Sequence, residues 1–144
     1  MANNIECNFE EVYKNGQIQQ GIFLLGNNKL RYEYNDQNLF TILFNEQWEV
    51  VANKDKKILD IKNIDLEILK EINQYLQMYP DIPEEIIKDN YEILFYKTNS
   101  AEFIKSITIK SAKMNMRVHF FNCKSLPSIN LYFLSKPFFE YKKK

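Results

Sequence analysis

Ile5, Cys7 and Phe9 alternate with Glu6, Asn8 and Glu10. One face of this segment is apolar and the other polar, the period of two that marks a strand with one buried side. The rhythm returns over residues 18–25, 30–34, 39–44, 48–52 and 58–61. Between these runs stand Asn15-Gly16, Gly26-Asn27-Asn28, Asn35-Asp36-Gln37-Asn38, Asn45-Glu46 and Asn53-Lys54-Asp55-Lys56. Gly and Asn tolerate positive φ and Asn-Gly favours a two-residue hairpin turn, so the first part reads as a six-strand antiparallel meander.

The period then changes. Leu69, Ile72, Leu76 and Tyr79 recur at the spacing of one helix face, within a run from Ile64 to Tyr79. Asp65 is placed to cap the helix start, since its carboxylate accepts from the free N–H groups of the first turn. Tyr79-Pro80 ends it. Pro83 to Lys88 offers a second, short helical turn, with Glu84 and Glu85 at its start. Strands are expected again over residues 91–97, 103–110, 116–123 and 129–134, before a closing Pro137-Phe138-Phe139-Glu140-Tyr141. The chain thus predicts one mainly β domain over residues 1–144, with a helical insertion at about 65–88.

Charge narrows the function. Lys plus Arg and Asp plus Glu are both 19, so the net charge is zero. A nucleic-acid partner is not expected, because displacing counterions from a phosphate backbone needs a basic stripe. Lys142, Lys143 and Lys144 read as a solvated chain end. No run is long and apolar enough to span a bilayer, and Met1-Ala2-Asn3-Asn4 has no signal-peptide pattern. Two readings follow, a cytosolic protein or a mature chain whose signal has been removed; the strand pattern begins directly after these residues, which fits the second.

Candidate chemistry is sparse. His119 is the single histidine and falls on the strand face opposite Met116, Val118 and Phe120. Cys123, four residues on, would share the face of His119 but stand about 13 Å away, too far for a dyad. No metal cage, nucleophilic triad or phosphate-binding loop is spelled out. No catalytic residue, metal ligand or cofactor is therefore assigned, and the chain is not expected to be an enzyme. Cys7 and Cys123 lie in strand-like runs; two buried free thiols are the simpler reading and a disulfide the alternative.

Aromatic residues make up 15% of the chain. Many of them fall in the meander, as Phe23, Tyr32, Tyr34, Phe40, Phe44 and Trp48. A sheet of roughly ten strands needs its apolar face covered, and one helix of about four turns is little cover. Either the sheet curls onto a filled core, or an apolar cavity remains that accepts acyl chains, at about 0.8 kcal/mol per buried methylene. The residues alone leave both open.

The order Gly21-Ile22-Phe23-Leu24-Leu25, Leu30-Arg31-Tyr32-Glu33-Tyr34, Phe40 to Asn45 and Trp48 to Val51 resembles the LolA family, periplasmic carriers of outer-membrane lipoproteins. The match runs over residues 5–79; beyond that only the strand pattern is shared. The resemblance implies a curled antiparallel half-barrel with a helical lid on its concave face, and a cavity for acyl chains. It implies a periplasmic monomer that needs no cofactor. Such a carrier takes acylated cargo from an inner-membrane ABC transporter and passes it to an outer-membrane acceptor. Leu30, Tyr32 and Tyr34 would face the cavity by that likeness. Alternation adds Phe23, Leu25, Ile42 and Phe44, with Trp48 beside them, and Leu69, Ile72 and Leu76 form the inner face of the lid. On this reading Tyr32→Glu blocks lipid binding without unfolding the chain. One motif departs from the family: the Arg-Pro-Gly loop that helps hold the lid shut is here Gly26-Asn27-Asn28-Lys29. The alternative function is a non-catalytic sensor or protein-interaction domain of the same fold with a filled core.

Overall fold

The computed structural model describes residues 4–97 and 103–126. Among these residues, ten strands form a single antiparallel sheet. The first six are β1 (Asn4–Tyr13), β2 (Ile18–Gly26), β3 (Lys29–Tyr34), β4 (Phe40–Asn45), β5 (Gln47–Ala52) and β6 (Ile58–Leu59). A single 3-10 turn over Ile61–Asn63 leads into the helix α1 (Leu66–Leu76). The chain returns as β7 (Glu85–Ile87), β8 (Tyr91–Tyr96), β9 (Ser106–Ser111) and β10 (Asn115–Leu126).

The sheet order is β6-β5-β4-β3-β2-β1-β10-β9-β8-β7. Two meanders therefore meet where β1 pairs with β10, and the first and last described strands sit side by side in the middle. The crossover from β6 to β7 must travel from one sheet edge to the other. It carries α1, whose Ile68, Ile72 and Leu76 are buried in the same apolar cluster as Phe23, Leu30, Ile107 and Phe120 of the sheet.

Local chemistry explains the turns. Gly16 has φ +89° in the first hairpin. Asn28, at φ 55°, turns β2 into β3, and Glu46, at φ 71°, turns β4 into β5. Gly21 is required for a different reason. A Cβ there would stand 2.0 Å from the Glu33 carbonyl oxygen and 2.4 Å from the Phe9 ring, which packs against this position. Asp65 caps α1 as the sequence suggests, accepting from the Ile68 amide at 3.3 Å.

Several expectations need correction. Pro83 to Lys88 contains the short strand β7, not a helical turn, because residues 85–87 pair with β8 in register Ile86↔Ile93. The helix ends at Leu76, short of Tyr79; Tyr79 instead packs on Phe103 with ring centroids 4.9 Å apart. The strand expected from Phe103 starts at Ser106, while Phe103 and Ile104 are buried without strand pairing. The expected strand at 129–134, the segment Pro137–Tyr141 and the Lys142–Lys144 tail lie outside the described residues.

Cys7 and Cys123 are not free thiols. They form a disulfide with Cα atoms 4.1 Å apart, joining β1 to β10. The register between these strands slips between Glu6 and Asn8, and Asn122 takes φ 53°. This bulge reverses the alternation of β10, so that Cys123 meets the buried Cys7. Cys123 and His119 accordingly do not share a face, as regular alternation would have required.

Part of the sheet's second face, around β2 to β4, is also buried. Arg31 and Glu33 alternate with Leu30, Tyr32 and Tyr34, yet Arg31 has no exposed surface and its Nε donates to Glu33 Oε1 at 3.1 Å. Its cross-strand neighbours Leu24 and Leu43 are buried with it.

Candidate functional site

A cavity of about 180 Å³ lies between α1 and the sheet. The sheet supplies Phe23, Leu30, Tyr32, Tyr34, Phe40 and Ile42 from the first meander, and Ile107, Ile109, Met116, Val118 and Phe120 from the second. The helix supplies Ile68, Leu69, Ile72 and Leu76. Five strand spacings separate β4 from β9 in the sheet order, about 24 Å if the sheet were flat. Both strands line this one cavity, so the sheet curls around it.

Of the residues expected to line a cavity, Phe23, Leu30, Tyr32, Tyr34, Ile42, Leu69, Ile72 and Leu76 do so. Leu25, Phe44 and Trp48 do not. Leu25 is fully buried in the core cluster. Phe44 and Trp48 are directly opposed on β4 and β5 and pack on each other with tilted rings, centroids 4.8 Å apart. Alternation gave the correct face of the sheet, but the cavity occupies only part of that face.

The residue missed by sequence reasoning is Glu11. It is the next member of the series Ile5, Cys7, Phe9 on the buried face of β1, and it lines the cavity without exposure to solvent. Three tyrosine hydroxyls converge on it. Tyr13 donates to Oε1, and Oε2 accepts from Tyr32 at 2.5 Å and from Tyr34 at 2.8 Å. The signal was available, since a strand that alternates to residue 9 brings residue 11 to the same face. Burial first, and the Glu11 charge second, raise the Tyr32 and Tyr34 hydroxyls far above the ordinary phenol value. Aromatic packing holds the cluster in place. Phe9 stacks on Tyr32 at 4.0 Å, while Tyr34 meets Tyr32 and Phe40 edge to face at 5.5 and 5.3 Å. Glutamate at position 32 would set a second carboxylate against Glu11, so Tyr32→Glu tests folding and not binding alone.

The far end of α1 is tied to the turn between β2 and β3. Gln77 Oε1 accepts from the Asn28 amide at 2.9 Å, and Gln77 Nε2 donates to the Lys29 carbonyl at 3.3 Å. At the other side of the helix, Lys88 approaches Glu71 at 3.5 Å.

Among the described residues no group of three or more His, Cys, Asp or Glu is placed to hold a metal ion. Nor is any helix among them long and apolar enough to cross a membrane. No protein-family model matches the chain, and no curated protein matches it.

Proposed function

We propose that this protein is a non-catalytic carrier that shelters acyl chains, of lipoproteins or of other lipids, in the cavity beneath α1. The observation that carries this reading is the cavity itself, walled almost entirely by apolar side chains from both meanders and from the helix. The curled sheet is consistent with a half-barrel, and on this reading the crossing helix would serve as its lid. By resemblance to the LolA carriers, the cargo would come from an inner-membrane ABC transporter and cross the periplasm to an outer-membrane acceptor. The Cys7–Cys123 disulfide is compatible with such an oxidising compartment.

Size sets the mechanism. A dry cavity of about 150 Å³ holds a molecule the size of benzene, so 180 Å³ admits only the beginning of an acyl chain. Longer cargo requires α1 to move outward, and the Gln77 contacts to Asn28 and Lys29 are what that motion breaks first. Where the family uses an Arg-Pro-Gly loop, this chain would use the glutamine that follows its helix.

The same small volume favours a second reading, a sensor or protein-interaction domain whose core is filled. Native mass spectrometry separates the two. A carrier gives a one-to-one complex with a triacylated lipopeptide, and Ile72→Phe, which fills the cavity from α1, abolishes it. If neither the lipopeptide nor a neutral long-chain alcohol forms a complex with the folded protein, the interaction-domain reading replaces the carrier.

A further inference from the structure

The cavity is apolar, but two acidic side chains reach its lining. Tyrosines apart, its ionisable lining residues are Glu11 and Asp65, and among the described residues no Lys, Arg or His lines it. Asp65 is committed to capping α1 through the Ile68 amide. Glu11 accepts three hydroxyl donors, whereas a carboxylate offers about four acceptor positions. Among the described residues no basic side chain forms an ion pair with it. A buried carboxylate with no opposite charge beside it is costly, and a cation placed against it recovers part of that cost.

The surroundings suit a cation as well. Tyr32 and Tyr34 bring their hydroxyls to the carboxylate, and their rings, together with Phe9 and Phe40, make its surroundings aromatic. Aromatic faces attract ammonium groups, and a charge-assisted hydrogen bond to a carboxylate is among the stronger polar contacts. A ligand ending in a carboxylate would instead meet two acidic groups and no basic one. We propose that the cavity selects a single-chain amphiphile with an ammonium head, the head against Glu11 and the alkyl tail running under Ile68, Ile72 and Leu76. This rests on reading the cavity as an apolar ligand site, and is independent of any transfer route.

Isothermal titration calorimetry of the intact protein at neutral pH with octylamine, octanol and octanoate tests it. These share one tail and differ in head charge. The amine is expected to bind about tenfold tighter than octanoate, the ratio that one good charge-assisted contact supplies, with octanol between them. In folded Glu11→Gln the preference for amine over alcohol collapses toward unity. If that variant does not fold, the wild-type ranking decides alone. Octanol equal to the amine, octanoate tighter than it, or an unchanged preference in folded Glu11→Gln would each overturn the ammonium assignment while leaving the cavity reading intact. If none of the three binds, the cavity reading fails, and the assignment with it.

Discussion

Gln77, the residue that follows the last turn of α1, accepts a hydrogen bond from the backbone amide of Asn28, 49 positions earlier in the chain. Its amide nitrogen also reaches the Lys29 carbonyl. One side chain therefore joins the crossover helix to the β2–β3 turn. Gln77→Ala removes both bonds, at a cost of about 1–2 kcal/mol. Because both bonds tie this end of the helix to the sheet, amide hydrogen exchange across residues 66–76 should quicken more than exchange in β1 or β2. Equal acceleration throughout the sheet would show that Gln77 supports global stability and does not fasten the helix.

The disulfide closes a span of 116 residues between β1 and β10. Chain-entropy arguments give about 4–5 kcal/mol for a loop of that length, and measured losses on removing native bridges run about 2–5. Denaturant unfolding with and without reductant should show a loss in this range, matched by Cys7→Ala/Cys123→Ala. An unchanged midpoint would mean that the β1–β10 junction holds without its covalent link.

Tyr32 and Tyr34 keep their protons in the folded state far above the ordinary value of 10.0, through burial and then the charge of Glu11. In the unfolded chain the same hydroxyls ionise near pH 10. Above that pH the folded state holds more protons than the unfolded one, so stability is complete below about pH 10 and falls as pH rises past it. Urea midpoints taken from about pH 8 to about pH 11 should decline, and Tyr34→Phe should flatten the decline. A flat profile in the wild type would place these hydroxyls in water.

Glu46 occupies a left-handed conformation at φ 71° in the β4–β5 turn. A side chain there costs about 1 kcal/mol that glycine avoids. Glu46→Gly should raise the unfolding free energy by up to about 1 kcal/mol in thermal or chemical melts. A loss would show that the Glu46 side chain makes a favourable contact of its own.

Gly21 carries the opposite expectation. Its missing Cβ leaves room for the Phe9 ring and the Glu33 carbonyl, and Phe9 in turn stacks on Tyr32 beside Glu11. Gly21→Ala should cost about 1–3 kcal/mol, as overpacking does, and should alter the near-ultraviolet circular dichroism of the tyrosines. A variant with wild-type stability and spectrum would mean that Phe9 can move aside freely.

The period of two and the turn residues were enough to place the first six strands, the apolar face of β3 and the cap of α1, because each depends on neighbours within a few residues. They also contained Glu11, as the next inward position after Phe9. Tertiary structure decided the rest. Residues 85–87 became a strand because β8 offered an edge, against a local preference for a helical start. Cys123 met Cys7 because one bulged residue, Asn122, reversed the parity of β10. Leu25, Phe44 and Trp48 have the spacing of cavity residues but fall outside it, since curvature determines how much of an apolar face surrounds the space. Tyr13 is a near neighbour of Glu11 on β1, but whether the distant Tyr32 and Tyr34 would find the same carboxylate was likewise a matter of register between β1 and β3, which are separated in the sheet by β2. Side-chain alternation is a local property of the backbone, whereas curvature, bulges and register arise from pairing between segments far apart in the chain.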